Sequence, residues 1–256
     1  MRHNLNTRPA FTLIELLVVV AIVGVLATLT VAVAQQALLT TSLATSAANI
    51  RQLSAGAVAY LADNEHRFWL YRRGIADPDR RGVEWWYGFE AEASLSKPEG
   101  KRTIDMEGGP LAGYIPGGIS ADPSFRYTGK PFKPKYDTGH IGVGYNVVLG
   151  GGWLGRNEPM KYWDFERPGE VVVFATSAQV NTFQAPASSK NPMIEEFYGF
   201  DEKETSIHFR HRGRAMVAFA NGSAGFLDID ESTRDKRAPE ANVGRFAPKG
   251  SFLHLR

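Results

Sequence analysis

The sequence predicts an α+β protein, with one long N-terminal helix whose second half packs on a small antiparallel β-sheet. Three observations carry that expectation. From Leu16 to Ala27 no polar side chain occurs, and Thr28 and Thr30 are the only polar interruptions before Ala34. From Gln35 to Ala62 there is no proline and a single glycine, Gly56, while Leu39, Leu43, Ile50, Leu53, Ala57 and Leu61 recur at three, four or seven residues. That spacing is the apolar stripe of a surface helix. Beyond it, 26 glycines and 14 prolines across the chain accompany short runs rich in Val, Ile and Tyr, the composition of short strands joined by loops.

The elements divide the 256 residues into four segments. Residues 1–10 are a short leader with Arg2 and Arg8 and no acidic residue. Residues 11–34 are long enough as a helix to cross a hydrocarbon core of about 30 Å. The two arginines N-terminal to this span place that end in the cytoplasm and the bulk of the chain outside it. Residues 35–62 continue the helix in amphipathic form, about 78 Å in all from Phe11 at 1.5 Å per residue. Residues 63–256 form a globular, β-rich extracytoplasmic domain. A competing reading of the N-terminus is an ordinary secretory signal cut after Ala32-Val33-Ala34. The apolar run is longer than such signals need, and that reading gives Glu15 no purpose.

Glu15 is the anomaly of the span. A carboxylate in a membrane helix costs a few kcal/mol or more, so a partner is expected for it. If the chain were cut before Phe11, the new α-amino group of this chain or a neighbour would be the nearest. A basic leader, a small residue, Phe11-Thr12-Leu13-Ile14-Glu15 and an apolar helix resemble a type IV prepilin or type II secretion pseudopilin. The resemblance implies cleavage between Ala10 and Phe11 by a prepilin peptidase, N-methylation of Phe11, and an assembly role for Glu15 opposite the amine of an adjacent subunit. Ala10 stands where the family usually has Gly. The implied partners are the peptidase, copies of this chain or other pilin-like subunits, and an inner-membrane assembly platform.

A second resemblance covers roughly residues 141–228. His211 is followed by nine residues and then Asn221-Gly222, similar to a prepilin-like subgroup that ends in a His, nine residues and Asp-Gly. Gly144-Tyr145-Asn146 and Val171-Val172-Val173-Phe174 also look like segments of that subgroup, whose mid-chain Cys-Pro pair is absent here.

Within the domain, strands are expected at Ile141 to Leu149, Val171 to Thr176, Ala215 to Ala220 and Ser223 to Ile229. The last two are joined by Asn221-Gly222 as a type I′ hairpin turn. Asp77-Pro78-Asp79 reads as a turn, residues 108–134 as irregular connection, and the tail from Glu231 as a loose end packing at Phe252 and Leu255. Arg67, Arg72, Arg73, Arg80 and Arg81 interleave with Trp69, Tyr71, Trp85, Trp86 and Tyr87. The mixture suits a glycan or nucleic-acid surface, and equally an aromatic core with snorkelling arginines, which is the expected form.

Composition narrows the function classes. Without the leader the chain has 29 − 2 = 27 basic and 27 acidic residues, a balance that speaks against a nucleic-acid partner. There is no cysteine for a disulfide framework or thiol catalyst. His208, His211, Asp228 and Asp230 are the nearest approach to a metal set, but Arg210 and Arg212 crowd it with positive charge. Calcium enters only through the resemblance, because major pseudopilins bind it; no EF-hand spacing occurs and no cofactor is expected. Gly150, Gly152 and Gly155 satisfy G-x-G-x-x-G formally, yet Trp153 and Pro159 fit a glycine turn better than a nucleotide loop. Carboxylate pairs such as Glu195-Glu196 have no cleft assigned to them. The expectation is a structural filament subunit without enzymatic activity. The alternative is an anchored or secreted carbohydrate-binding or adhesive module using Trp85, Trp86 and Tyr87.

Overall fold

The computed structural model describes residues 12–127, 129 and 131–247. Ala10, Phe11, Phe252 and Leu255 lie outside the described residues. Helix α1 runs from Leu13 to Asp63. By internal contacts the chain divides within this helix into an N-terminal unit ending at Thr41 and a second unit from Ser42 onward.

In the second unit the helix buries Ile50, Leu53, Ala57 and Leu61, with Leu43 packed against them, as the stripe requires; Leu39, in the first unit, is 66 % exposed. Gly56 is needed for close approach. A Cβ there would stand 2.5 Å from Ile115, which rides on the 3₁₀ turn Ala112–Tyr114. The helix stops without glycine. His66 N–H donates to the Leu61 carbonyl at 2.8 Å, and Glu65 and His66 take φ of 54° and 57°. The Asn64 side chain covers the Tyr60 carbonyl at 2.8 Å. This is the six-to-one closure of a Schellman-type cap, made here by non-glycine residues.

A three-stranded antiparallel sheet follows: β1 (Arg72–Ile75), β2 (Gly82–Trp85) and β3 (Gly88–Ala91), with a single turn of helix, α2 (Glu92–Leu95), after it. The turn into β2 forms at Asp77-Pro78-Asp79, where the Asp77 carboxylate accepts from Asp79 N–H at 2.9 Å. The main sheet is built from β4 (Val143–Asn146), β5 (Val172–Thr176), β8 (Gly199–Phe200), β9 (Ile207–His208), β10 (Arg214–Phe219), β11 (Ala224–Asp230) and β12 (Val243–Phe246). Its order is β8-β4-β5-β10-β11-β12-β9. A small pair, β6 (Gln179–Asn181) with β7 (Met193–Glu195), stands apart from it. Ser177, one residue past β5, bridges Ile207 of β9, so the sheet curls back on itself. Strand β10 shows how the curl is filled. Ala215, Val217 and Phe219 point to an inner cluster with Val172, Phe200, Phe209 and Phe246, while Met216 and Ala218 point to the cluster containing α1.

The domain is mostly sheet, and it departs from the sequence-based expectations in three places. Ile141 to Leu149 yields only the four residues of β4. Asn146 ends the strand by accepting from Val148 N–H at 3.2 Å while its amide donates to the Val172 carbonyl at 3.0 Å. The tail from Glu231 is not loose as far as Phe246: it returns as β12, between β11 and β9. Four residues, Val-Gly-Arg-Phe, are too few to show an alternating pattern. Phe219 N–H donates to the Ser223 carbonyl at 2.8 Å, so the hairpin between β10 and β11 closes over three residues, 220–222, not two. Gly222 alone is left-handed, at φ 87°, and Gly222 N–H donates to the Phe219 carbonyl at 2.9 Å. This is the pattern of a type I turn followed by a G1 bulge, and it replaces the expected type I′ turn.

The hairpin turn rests on α1. Ser54 Oγ donates to the Gly222 carbonyl at 3.0 Å, and a Cβ on Gly222 would meet Val58 at 3.3 Å. Gly222→Val therefore combines positive-φ strain with crowding of the helix. It should lower stability by about 1–3 kcal/mol, read as a shift of the denaturation midpoint. Asn221→Asp keeps the oxygen that accepts from Ser223 N–H and Oγ, and should be tolerated.

Candidate functional site

Two places carry features that a folded domain alone does not need: the first turns of α1, and the buried cluster against which its second half is fixed.

In the N-terminal unit, Thr12 and Glu15 form a reciprocal cap. Thr12 N–H and Oγ1 donate to the Glu15 carboxylate at 2.8 and 2.7 Å, and Glu15 N–H donates to Thr12 Oγ1 at 3.3 Å. This is a capping box, which satisfies two of the donors a helix start leaves open. The residues that follow are apolar and turned outward. Leu13, Ile14, Leu17, Val20 and Leu29 are all more than half exposed. Thr28 and Thr30 return their hydroxyl protons to the Val25, Leu26 and Ala27 carbonyls at 2.8–2.9 Å. Thr28 and Thr30, the polar side chains between Leu16 and Ala34, are thus satisfied within the helix, as a lipid or dry helical environment demands. The helix is long and apolar enough to cross a membrane.

In the second unit, Asp122 is the hub that pins α1. Ser46 Oγ, from the helix, donates to its carboxylate, and Ser124 N–H does so at 2.8 Å. Arg210 closes on the same group with Nε at 3.0 Å and Nη2 at 2.5 Å. Both side chains of this ion pair are about 95 % buried. Burial alone raises the Asp122 carboxyl, but the Arg210 guanidinium and the donors around it outweigh that and hold it well below the usual carboxylate range. Nearby, Asn49 donates to the Ala121 carbonyl at 3.0 Å.

The sequence-derived site residues fall as follows. Glu15 is at the cap. His211 and Asn221-Gly222 stand at the two ends of β10, and each end holds α1: one through Asp122 and Ser46, the other through Ser54. The nine-residue spacing is thus the length of a strand and its turn. His211 does not bond a backbone group through its ring; Nε2 lies 3.6 Å from Asp122, too far for a hydrogen bond. Among the described residues no group of three or more acidic or histidine side chains is placed to hold a metal, and His208, His211, Asp228 and Asp230 do not converge. Glu195 and Glu196 part company. Glu195 accepts from Asn181 at 2.6 Å and faces Lys133, whereas Glu196 accepts from the Ile141 and Gly142 N–H groups at 2.8 and 2.9 Å. The glycine run 150–155 is a packed turn with no helix opening from it. Trp86 and Tyr87 are 0 and 1 % exposed, so their rings are core and present no face to a glycan. Trp85 is half-covered by Arg72, whose guanidinium lies 5.0 Å from its ring. Asp122 and Ser46 were not singled out from the sequence. Their partners are 76 and 88 residues away along the chain, and no local pattern marks them.

The N-terminal features define a recognisable class. A family model for the prokaryotic N-terminal methylation motif matches residues 6–31. The segment that holds Thr12, Glu15 and the exposed apolar turns therefore carries a prepilin-type N-terminal methylation motif. No curated protein and no solved structure matches the chain.

Proposed function

We propose that this chain is a structural subunit of a type IV pilus-like or type II secretion pseudopilus filament. In this reading the precursor sits in the inner membrane by one span with its domain outside the cytoplasm. A prepilin peptidase cuts between Ala10 and Phe11 and methylates the new amine. An assembly platform then draws the apolar turns of α1 from lipid into the company of like helices, in a periplasmic or cell-surface filament. The observation that carries the reading is the methylation motif over residues 6–31 on an exposed, internally satisfied apolar helix. Glu15 supports it: a carboxylate that costs free energy in lipid gains a use when a neighbour presents a positive amine in a dry core.

Deletion of the host's prepilin peptidase tests this. The full-length precursor should accumulate in the membrane fraction, and the sheared-filament fraction should lose the protein. Normal processing and normal filaments without the peptidase would contradict the reading.

A further inference from the structure

The cluster that fixes α1 contains two histidines that the ion pair at Asp122 does not require. His208, on β9, is 9 % exposed. Its Nδ1 lies 3.0 Å from Arg210 Nη1. A guanidinium only donates, so Nδ1 must accept and is unprotonated; Nε2 then carries the proton, toward the Ala241 backbone. His211 has a buried Nε2 with no hydrogen-bond partner, 3.6 Å from Asp122. One carboxylate thus faces one guanidinium and two imidazoles. With His208 unprotonated, Asp122 is the counter-charge of Arg210. A proton taken up by His208 adds a positive charge beside Arg210, and among the described residues no second anion faces it.

The elements around His208 supply no such anion. Phe125 stacks on its ring edge-to-face at 5.3 Å, and Thr176 of β5 bonds its carbonyl. Asp235, whose N–H bonds the Val243 carbonyl of β12, is occupied by Arg237. Glu196 is held by His140, which stacks on Tyr127.

We propose that the His208–Arg210–Asp122 cluster is an acid-sensitive latch that releases the Ser46–Asn49 stretch of α1 from the domain when the His208 imidazole is protonated. Burial first, and then Arg210, hold the His208 imidazolium well below the ordinary histidine range. The sign follows from linkage. A histidine whose folded pKa is depressed leaves stability intact above its unfolded value of about 6.5 and withdraws it as pH falls below that value. Asp122 is depressed too, but its contribution fades only in the range of free carboxylates, near pH 4 and lower, so the two windows separate.

The test is hydrogen–deuterium exchange mass spectrometry of the full chain in detergent from pH 7.5 to 4.5, corrected for intrinsic exchange rates. Protection of the segment around residues 42–50 and of β9 should fall below pH 6.5 by up to about tenfold per pH unit for each proton taken up on opening. His208→Gln keeps an acceptor and a donor but does not titrate, and should remove most of that fall. An equal pH dependence in wild type and variant would overturn the latch. Should the variant fail to fold, exchange at the histidine C2 position in the wild type reads the same group. His208 titrating near pH 6.5 with undiminished helix protection would overturn the proposal, and titration only together with loss of protection would support it.

Discussion

Glu15→Leu should insert, fold and be cut like wild type, and should fail to enter filaments. Leu is better accommodated in lipid than a carboxylate, so insertion does not suffer. The loss of the capping box with Thr12 costs on the order of 1 kcal/mol, small for a helix of 51 residues. In the assembled state, however, an incoming amine would be buried without its counter-charge, and breaking a buried pair costs roughly 3–5 kcal/mol. The structure adds a second variant that separates the two roles of this residue. Gln serves at the third position of a capping box, so Glu15→Gln keeps the helix start and loses only the charge. Shearing of surface filaments should find both variants absent. Wild-type assembly of Glu15→Gln would show that the cap, not the charge, is what the filament needs.

Asp122→Ala should be the most damaging single change in the domain. It removes the acceptor for Ser46, Ser124 and Arg210 at once, and leaves a guanidinium 5 % exposed without a carboxylate. Loss of one partner of a buried pair costs about 3–5 kcal/mol, against a typical domain stability of about 5–15 kcal/mol. All five tryptophans lie between Trp69 and Trp163, so tryptophan fluorescence of the full chain in urea reports this domain alone. A midpoint within the scatter of surface substitutions, about 0.5 kcal/mol, would mean that the cluster does not hold the helix. The same measurement on Ser46→Ala should show a smaller loss, because Arg210 and Ser124 still satisfy the carboxylate.

What could be read from the sequence was what is local. The apolar run and the stripe through Ile50, Leu53, Ala57 and Leu61 follow from helical period alone, and both appear in α1. Val172–Thr176 and β10 were legible as contiguous apolar runs, and Asn221-Gly222 marked the hairpin that follows β10. Thr12-x-x-Glu15 is a capping-box spelling just before an apolar run. Attention to the charge of Glu15 alone passes over that local bond. The missed features are non-local. β12 is four residues placed by pairing with β11 and β9. Asp122 sits in a Gly/Pro-rich stretch and acquires its meaning only from Ser46 and Arg210. Interleaved arginines and aromatics gave two readings because exposure, which separates core from surface, is not written in the spacing.

The central claim is that the functional chain begins at Phe11. Mass spectrometry of the N-terminal peptide of the native protein tests it most directly. The account predicts a peptide starting at Phe11 and carrying one methyl group on its amine. A peptide starting at Gln35, as signal peptidase would leave after Ala34, would remove Glu15 and the apolar turns from the mature protein and contradict the filament reading.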